Sequence, residues 1–537
     1  ADLSTHEEMH DRIVKKGGIK TLMRLLTNSR DVEAQRFAAL AVANTSSSEL
    51  HRSEIAKQED ALMNLVDYVR GGDADPVGRR YCAMAIGNLA AEPENHESIV
   101  KLGAIDALIM LLKRGASEQD LESGRYAAFA ISNLAANANH RGQIVDEGAI
   151  EPLVVLACAE DLLLQRRSLA ALRGICINPR YRTAVVQHGI LDPLVLMARS
   201  DNADLLREVA AALNCLSSVA DNKEEISDRA ISTIIALLLS GDSEVERHAC
   251  CTVANLVEMI EIHPRFLEER GLPPLIAMSV SEDLNCKGEA SRAIANLAAN
   301  AEIQDVLLGE GALDPMVDAL EKDELNCQRF AALCIANMAT TMKSQIQVVQ
   351  AGAIHPLVSI VINNNIQLEP RRYAALALAN LAATSANHPA ILDAGALEAL
   401  FCLSNSPDTM SQYYVSCALA NFGSNVQNHK RIVEEGGIQP IITLSYSSDP
   451  DIHQQAAAAL RGLSVSDDIK VKVVQEGALE PLSRLLLSSD LDILREVTAC
   501  FCNLSQSEEN KFEIAKCGVV PPLITHMQSE DMFIASQ

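Results

Sequence analysis

The sequence predicts an all-α solenoid of about twelve three-helix repeats. Three observations predict it. A motif ending in Asn recurs with a period near 41 residues. A Gly-Ala-Ile-x-Pro-Leu break interleaves with that motif. Between the breaks, apolar and small residues follow helical spacing.

The first motif is an Arg, an aromatic or small residue, Ala-Ala, and then Asn. It reads Arg36-Phe37-Ala38-Ala39 to Asn44, and returns at Arg80-Tyr81 to Asn88 and at Arg125-Tyr126-Ala127-Ala128 to Asn133. It returns again from Arg247 to Asn255, Arg329 to Asn337, Arg372 to Asn380 and Arg495 to Asn503. The equivalent final slots are 44, 88, 133, 174, 215, 255, 296, 337, 380, 421, 462 and 503. Steps of 40 to 45 residues over twelve slots exclude composition bias.

The second motif is Gly148-Ala149-Ile150-Glu151-Pro152-Leu153. It recurs at Gly311, Gly352, Gly395, Gly436, Gly477 and Gly518, and more weakly at Gly17 and Gly103. Gly and Pro mark where one helix stops and the next begins. Ahead of it stands Asn-His, at Asn95-His96, Asn139-His140, Asn387-His388 and Asn428-His429. This Asn is expected to cap a short first helix. Each repeat is then a short helix, a Gly break, a second helix, a charged loop and a long third helix.

A single repeat cannot bury its apolar face alone, and stacking makes one continuous core. The expected organisation is one superhelix over residues 1–537, although length alone would suggest three or four domains. Hydrophobic residues make up 48% of the chain, enough for such a core. Asp and Glu outnumber Lys and Arg, 71 to 45, for a net charge of -26. A chain this acidic is a poor general binder of nucleic acid or anionic membranes. Aromatics are only 3% and Trp is absent, which argues against an aromatic-lined surface. The 14 cysteines show no CxxC pair and read as small core residues of a reducing compartment. No apolar run approaches the ~20 residues of a membrane span, and no signal peptide opens the chain.

These motifs resemble the armadillo repeat family over nearly the whole chain. HEAT repeats lack the Gly break and the Asn-Leu ending. Within the family, the Asn-Leu-Ala-Ala and Asn-His pattern is most similar to the yeast vacuolar armadillo adaptor and its relatives, several of them ciliary. The resemblance implies a right-handed superhelix whose third helices line a concave groove.

Helical geometry places the groove residues. With the Arg as position 0 and a turn of about 100° per residue, positions +2, +3, +6 and +9 form the buried stripe. Positions 0, +4, +7 and +8 lie opposite, as Arg125, Phe129, Ser132 and Asn133 do in one repeat. Asn offers a donor and an acceptor to an extended peptide main chain. Arg offers a fork to carboxylate or phosphate, so acidic or phosphorylated segments are the expected partners. The candidate groove residues are Arg80, Asn88, Arg125, Phe129, Asn133, Arg247, Asn255, Asn296, Arg329, Asn337, Arg372, Asn380 and Asn421. Stretches 329–380 and 80–133 are the most regular. A second reading stays open: the Asn satisfies backbone groups of a neighbouring repeat, and the Arg pairs with a neighbouring acid. The pattern breaks at Gly174, Cys215 and Gly462, and Gly288 replaces the Arg in its repeat. Nuclear-import adaptors of this family carry a Trp four residues before the Asn, where this chain has Leu40, Met84, Phe129, Cys251, Leu333, Leu376 and Cys417. That function is not expected.

His6-Glu7-Glu8-Met9-His10 matches the HExxH zinc pattern, but no third ligand is evident. Thr5 and Glu8 read instead as a capping box. No Walker loop, dinucleotide fingerprint or nucleophile elbow is present. Extra residues separate second and third helices at 70–80, 114–125 and 363–372. The expectation is a non-enzymatic protein-binding scaffold without cofactor or metal, in the cytoplasm. The alternative is a structural part of a ciliary axoneme or other cytoskeletal assembly.

Overall fold

The structure is a computed structural model that describes every residue but Glu59, Asp73 and Gln119, with the backbone alone at Glu118. Among the described residues it is helical throughout, with no strand. It forms two compact parts, Ala1–Glu269 and Arg270–Gln537.

The first part holds six long third helices: Val32–Ser46, Pro76–Leu89, Leu121–Ala135, Leu162–Cys176, Ala203–Ser217 and Ser243–Leu256. Each packs on the next in chain order. The second part holds six more: Leu284–Ala298, Leu325–Met338, Leu368–Leu381, Thr409–Gly423, Pro450–Leu463 and Leu491–Ser505, stacked in the same way. Three shorter helices after residue 507 begin a thirteenth repeat. The buried stripe lies where the spacing puts it: Ala127, Ala128, Ile131 and Leu134 are each 0% exposed. Burying an Ile or Leu side chain contributes about 1.5–3 kcal/mol. Alanines between them let the helix backbones come close.

The Gly break works through backbone conformation. Gly148 has φ of +82°, a left-handed value that ends the first helix at Asp146 and re-aims the chain into Ile150–Ala157. Two repeats lack a glycine in this slot and hold Asp60 (φ +61°) and Arg270 (φ +55°) there, still left-handed. In the sixth repeat Arg229 occupies the slot and the break disappears. One 18-residue helix, Ala220–Leu237, replaces two.

Three local expectations are corrected. The Asn of the Asn-His pair faces backward and does not cap the helix it opens. Asn95 Nδ2 donates to Leu89 O (2.9 Å), Asn387 to Leu381 O (3.0 Å) and Asn428 to Phe422 O (3.0 Å). The neighbouring His does likewise: His96 Nε2 donates to Ala90 O (2.7 Å), His388 to Ala382 O (2.8 Å) and His429 to Gly423 O (2.6 Å). Both side chains thus satisfy carbonyls left open where the previous third helix ends. At Asn139-His140 this role passes to Arg141, whose Nε donates to Ala135 O, and Asn137 is the cap. Second, Thr5 and Glu8 form no capping box. Thr5 Oγ1 donates to Asp2 O within a 3-10 turn, and His6 stands at the N-cap. Third, residues 114–118 are not loop: they continue the second helix Ala104–Glu118. Residue 119 lies outside the described residues.

Candidate functional site

The third-helix face is built from four recurring slots: the Arg, the residue after it, the residue four on, and the Asn. The structure shows what already occupies each.

The arginines are spent between repeats. Arg36 meets Asp75 (2.6 Å), and Arg80 meets Asp120 (2.7 Å) and Glu122 (2.6 Å). Arg125 pairs with Asp161, and Arg207 with Asp242 (2.7 Å). Arg372 reaches Asp408 (3.3 Å) and Arg495 reaches Asp531 (2.7 Å). Each of these aspartates also caps the next third helix: Asp75 accepts from Gly78 N, Asp120 from Ser123 N, Asp161 from Leu164 N and Asp408 from Ser411 N. One carboxylate therefore holds a helix N-terminus and the guanidinium of the repeat before it. The Arg36 guanidinium holds the Asp75 carboxyl below its ordinary pKa, and Arg207 does the same to Asp242. Arg329 pairs with Glu369 (3.2 Å), because the cap there is Gln367, whose side chain makes no capping bond. The expected open row of arginine forks is corrected at Arg80, Arg125, Arg329 and Arg372, whose charge is met inside the chain, whereas Arg247 has no ion pair among the described residues. The signal was legible, since an Asp stands five residues before the Arg slot in most repeats.

The asparagines are half spent. Asn133 Nδ2 donates to Gly87 O (2.9 Å), Asn337 to Ala295 O (3.1 Å), Asn380 to Ala336 O (2.9 Å) and Asn421 to Ala379 O (3.0 Å). Each tie runs to the preceding third helix. The side chains of these four make no other hydrogen bond among the described residues. Each keeps a second amide hydrogen and its Oδ1. Asn88 is buried, and its amide reaches both Ala43 O (2.9 Å) and Ser46 Oγ (3.2 Å). Arg247, Asn255 and Asn296 are half-buried on their helices. Asn255 donates to Ser217 Oγ (3.1 Å). Burial, and then the charge of Arg247, push the His248 pKa down.

The slot after the Arg carries a pattern that composition concealed. Read along the chain it holds Phe37, Tyr81, Tyr126, Arg167, Glu208, His248, Glu289, Phe330, Tyr373, Tyr414, Gln455 and Glu496. Three aromatics in succession occur once in each part. Phe37 is 54% exposed and the other five are half-buried. The slot four on from the Arg holds large apolar residues in the same repeats, Leu40, Met84 and Phe129, then Leu333 and Leu376, with Cys417 in the last. Six of the 17 Phe and Tyr residues thus occupy this one slot, three in each part, against the expectation of no aromatic-lined surface.

The amino-terminal His6 and His10 bring no metal chemistry into view. His10 Nε2 donates to Ser4 O (2.8 Å). Among the described residues, no group of three His, Cys, Asp or Glu side chains is placed to hold a metal. Among the same residues, no single helix is long and apolar enough to cross a membrane.

The armadillo/beta-catenin-like repeat family matches residues 178–217, 425–465 and 466–506. That match spans three of the stacked repeats, under a quarter of the chain. A crystal structure of an engineered protein from the Northeast Structural Genomics Consortium is similar at a TM-score of 0.69 and 29% identity, over 75% of this chain and 98% of that one. The U-box domain-containing protein 18 of Arabidopsis thaliana is 28% identical over 114 residues. That match takes in 21% of this chain and 16% of the U-box protein.

Proposed function

We propose that this armadillo chain is a non-enzymatic scaffold that holds extended segments of partner proteins on two stretches of its third-helix face, 36–133 and 329–421. The carrying observation is the coincidence of slots. The aromatic triplets fall where the Asn row is unbroken, at Asn44, Asn88 and Asn133 and at Asn337, Asn380 and Asn421. The rings offer apolar surface, and the remaining asparagine hydrogen and Oδ1 offer main-chain recognition. Elsewhere the Asn row is interrupted by Gly174, Cys215 and Gly462, and no aromatic follows the Arg slot. Arg80, Arg125, Arg329 and Arg372 act by fixing the face, through their ties to the next repeat. The Asn-Leu-Ala-Ala and Asn-His pattern favours an adaptor role like that of the vacuolar relatives. A reducing, cytoplasmic setting fits cysteines that, except Cys158 and Cys402, are buried or half-buried.

The test is affinity purification of the full chain with quantitative mass spectrometry. Wild type is compared with Tyr81→Ala/Tyr126→Ala and with Phe330→Ala/Tyr373→Ala. Each variant is expected to lose its own set of partners while its melting curve stays cooperative. Unchanged partner lists from both variants would overturn the reading.

A further inference from the structure

We infer that Arg167 is the charge-reading position of the first stretch, receiving an Asp or Glu side chain of an extended partner segment whose apolar side chains lie on Phe37, Tyr81 and Tyr126. This rests on the proposed function and names what that face selects.

Arg167 occupies the slot that holds an aromatic in the three repeats before it. Its guanidinium carbon lies 4.6 Å from the Phe129 ring centre and 5.7 Å from that of Tyr126. Nη1 donates to Arg125 O (3.3 Å). No carboxylate lies within ion-pair distance among the described residues, and Nε and Nη2 make no hydrogen bond to them. The arginines around it differ: Arg36, Arg80, Arg125, Arg166 and Arg173 each have a carboxylate partner. Asp161, whose charge also acts on Arg167, is already engaged by Arg125 and by Leu164 N. The group is half-buried, and burial pulls its pKa down. A desolvated cation without a counter-charge is costly, and an incoming carboxylate offsets that cost. Its place over two rings pre-orients the fork. The face thus complements one acid, set at the end of an apolar row.

Spacing follows from geometry. Neighbouring helices lie about 8–10 Å apart, and an extended chain rises about 3.3 Å per residue. A bound segment therefore crosses one repeat in roughly two to three residues. The acid is expected at that interval beyond the last of the apolar side chains.

The experiment selects a random dodecapeptide display library on the full chain, as wild type, Arg167→Gln, Arg167→Lys and Tyr81→Ala. Wild type is expected to enrich apolar residues at a fixed interval with an Asp or Glu at one end. Arg167→Gln should keep the apolar pattern and lose the acid, and Arg167→Lys should fall between. The best wild-type peptide should bind Arg167→Gln about tenfold more weakly. Its own Asp→Asn or Glu→Gln version should lose about tenfold on wild type and nothing on Arg167→Gln. That cycle separates charge recognition from any loss of packing on Phe129. Acid enrichment that survives Arg167→Gln, or apolar enrichment without acid, would overturn this inference and leave the proposed function standing. No enrichment, or peptides indifferent to Tyr81→Ala, would overturn both for this stretch. Enrichment that appears only after enzymatic phosphorylation of the library would replace the carboxylate by phosphate and overturn the commitment made here.

Discussion

The two aromatic stretches use one slot code and end differently. In 36–133 the row runs on into Arg167, which stacks back on Phe129 and Tyr126. In 329–421 the row ends at Tyr414, whose ring lies 5.7 Å from that of Tyr413, and the next slot is the neutral Gln455. The arginines differ too. Arg80 is held by two carboxylates, whereas Arg329 has one and lies 4.9 Å from the ring of its own neighbour Phe330. Repeat identity fixes the backbone-facing groups, while the residue one past the Arg differs between the two stretches.

The largest way to break the comparison is at the end of the second stretch. A Cβ on Gly462 would stand 2.2 Å from Gly423 O, so Gly462→Ala must push apart two third helices. A cost of about 2–3 kcal/mol is expected. Hydrogen exchange should show lost protection across 409–463 with 36–133 unchanged. Next come the aspartates that cap and clamp. Asp161→Ala and Asp408→Ala each remove an N-cap and an Arg partner, and each should cost about 1–2 kcal/mol in denaturant unfolding. Equal losses would show that the clamp belongs to the repeat and not to either stretch.

Three smaller effects are expected. Gln455→Arg places a guanidinium in the second stretch at the slot equivalent to Arg167. It should raise the affinity of 329–421 for acidic peptides several-fold, read by titration, with Tyr373→Ala abolishing the gain. Arg270→Gly relieves a left-handed non-glycine residue and should stabilise the second part by about 1 kcal/mol, seen as a higher melting midpoint. The acid limb of stability should follow the depressed carboxylates. Asp75 and Asp242, lowered by Arg36 and Arg207, and Asp318, lowered by Lys287 and Lys322, stabilise the fold fully above the unfolded Asp value of about 3.9. That stabilisation is lost as pH falls through their lower folded values. Arg36→Gln should flatten the limb, because Asp75 then titrates closer to its unfolded value.

Much of this architecture was legible in residue order because a repeat sequence repeats its constraints. Gly148 needs a left-handed backbone wherever that break recurs, and Ala127, Ala128, Ile131 and Leu134 need burial at helical spacing. The exceptions were legible only in part. Arg229 erases a break, whereas Arg270 and Asp60 keep it, and nothing local separates these outcomes. The asparagines and arginines carried two readings because a side chain's donors do not declare their acceptors. Asn133 and Gly87 O are 46 residues apart, and Arg36 and Asp75 are 39 apart. The aromatic triplets were written in the chain but hidden by a low total, since composition averages over position.

By itself, then, the sequence determined period, helix breaks and buried stripe, because each is a local constraint of backbone conformation or helical phase. Tertiary structure alone decided which polar groups remain available. Stacking brings an Asp cap to one Arg, a carbonyl to one asparagine hydrogen, and no carboxylate to Arg167, and hydrogen bonds and ion pairs depend on separation in space, not along the chain.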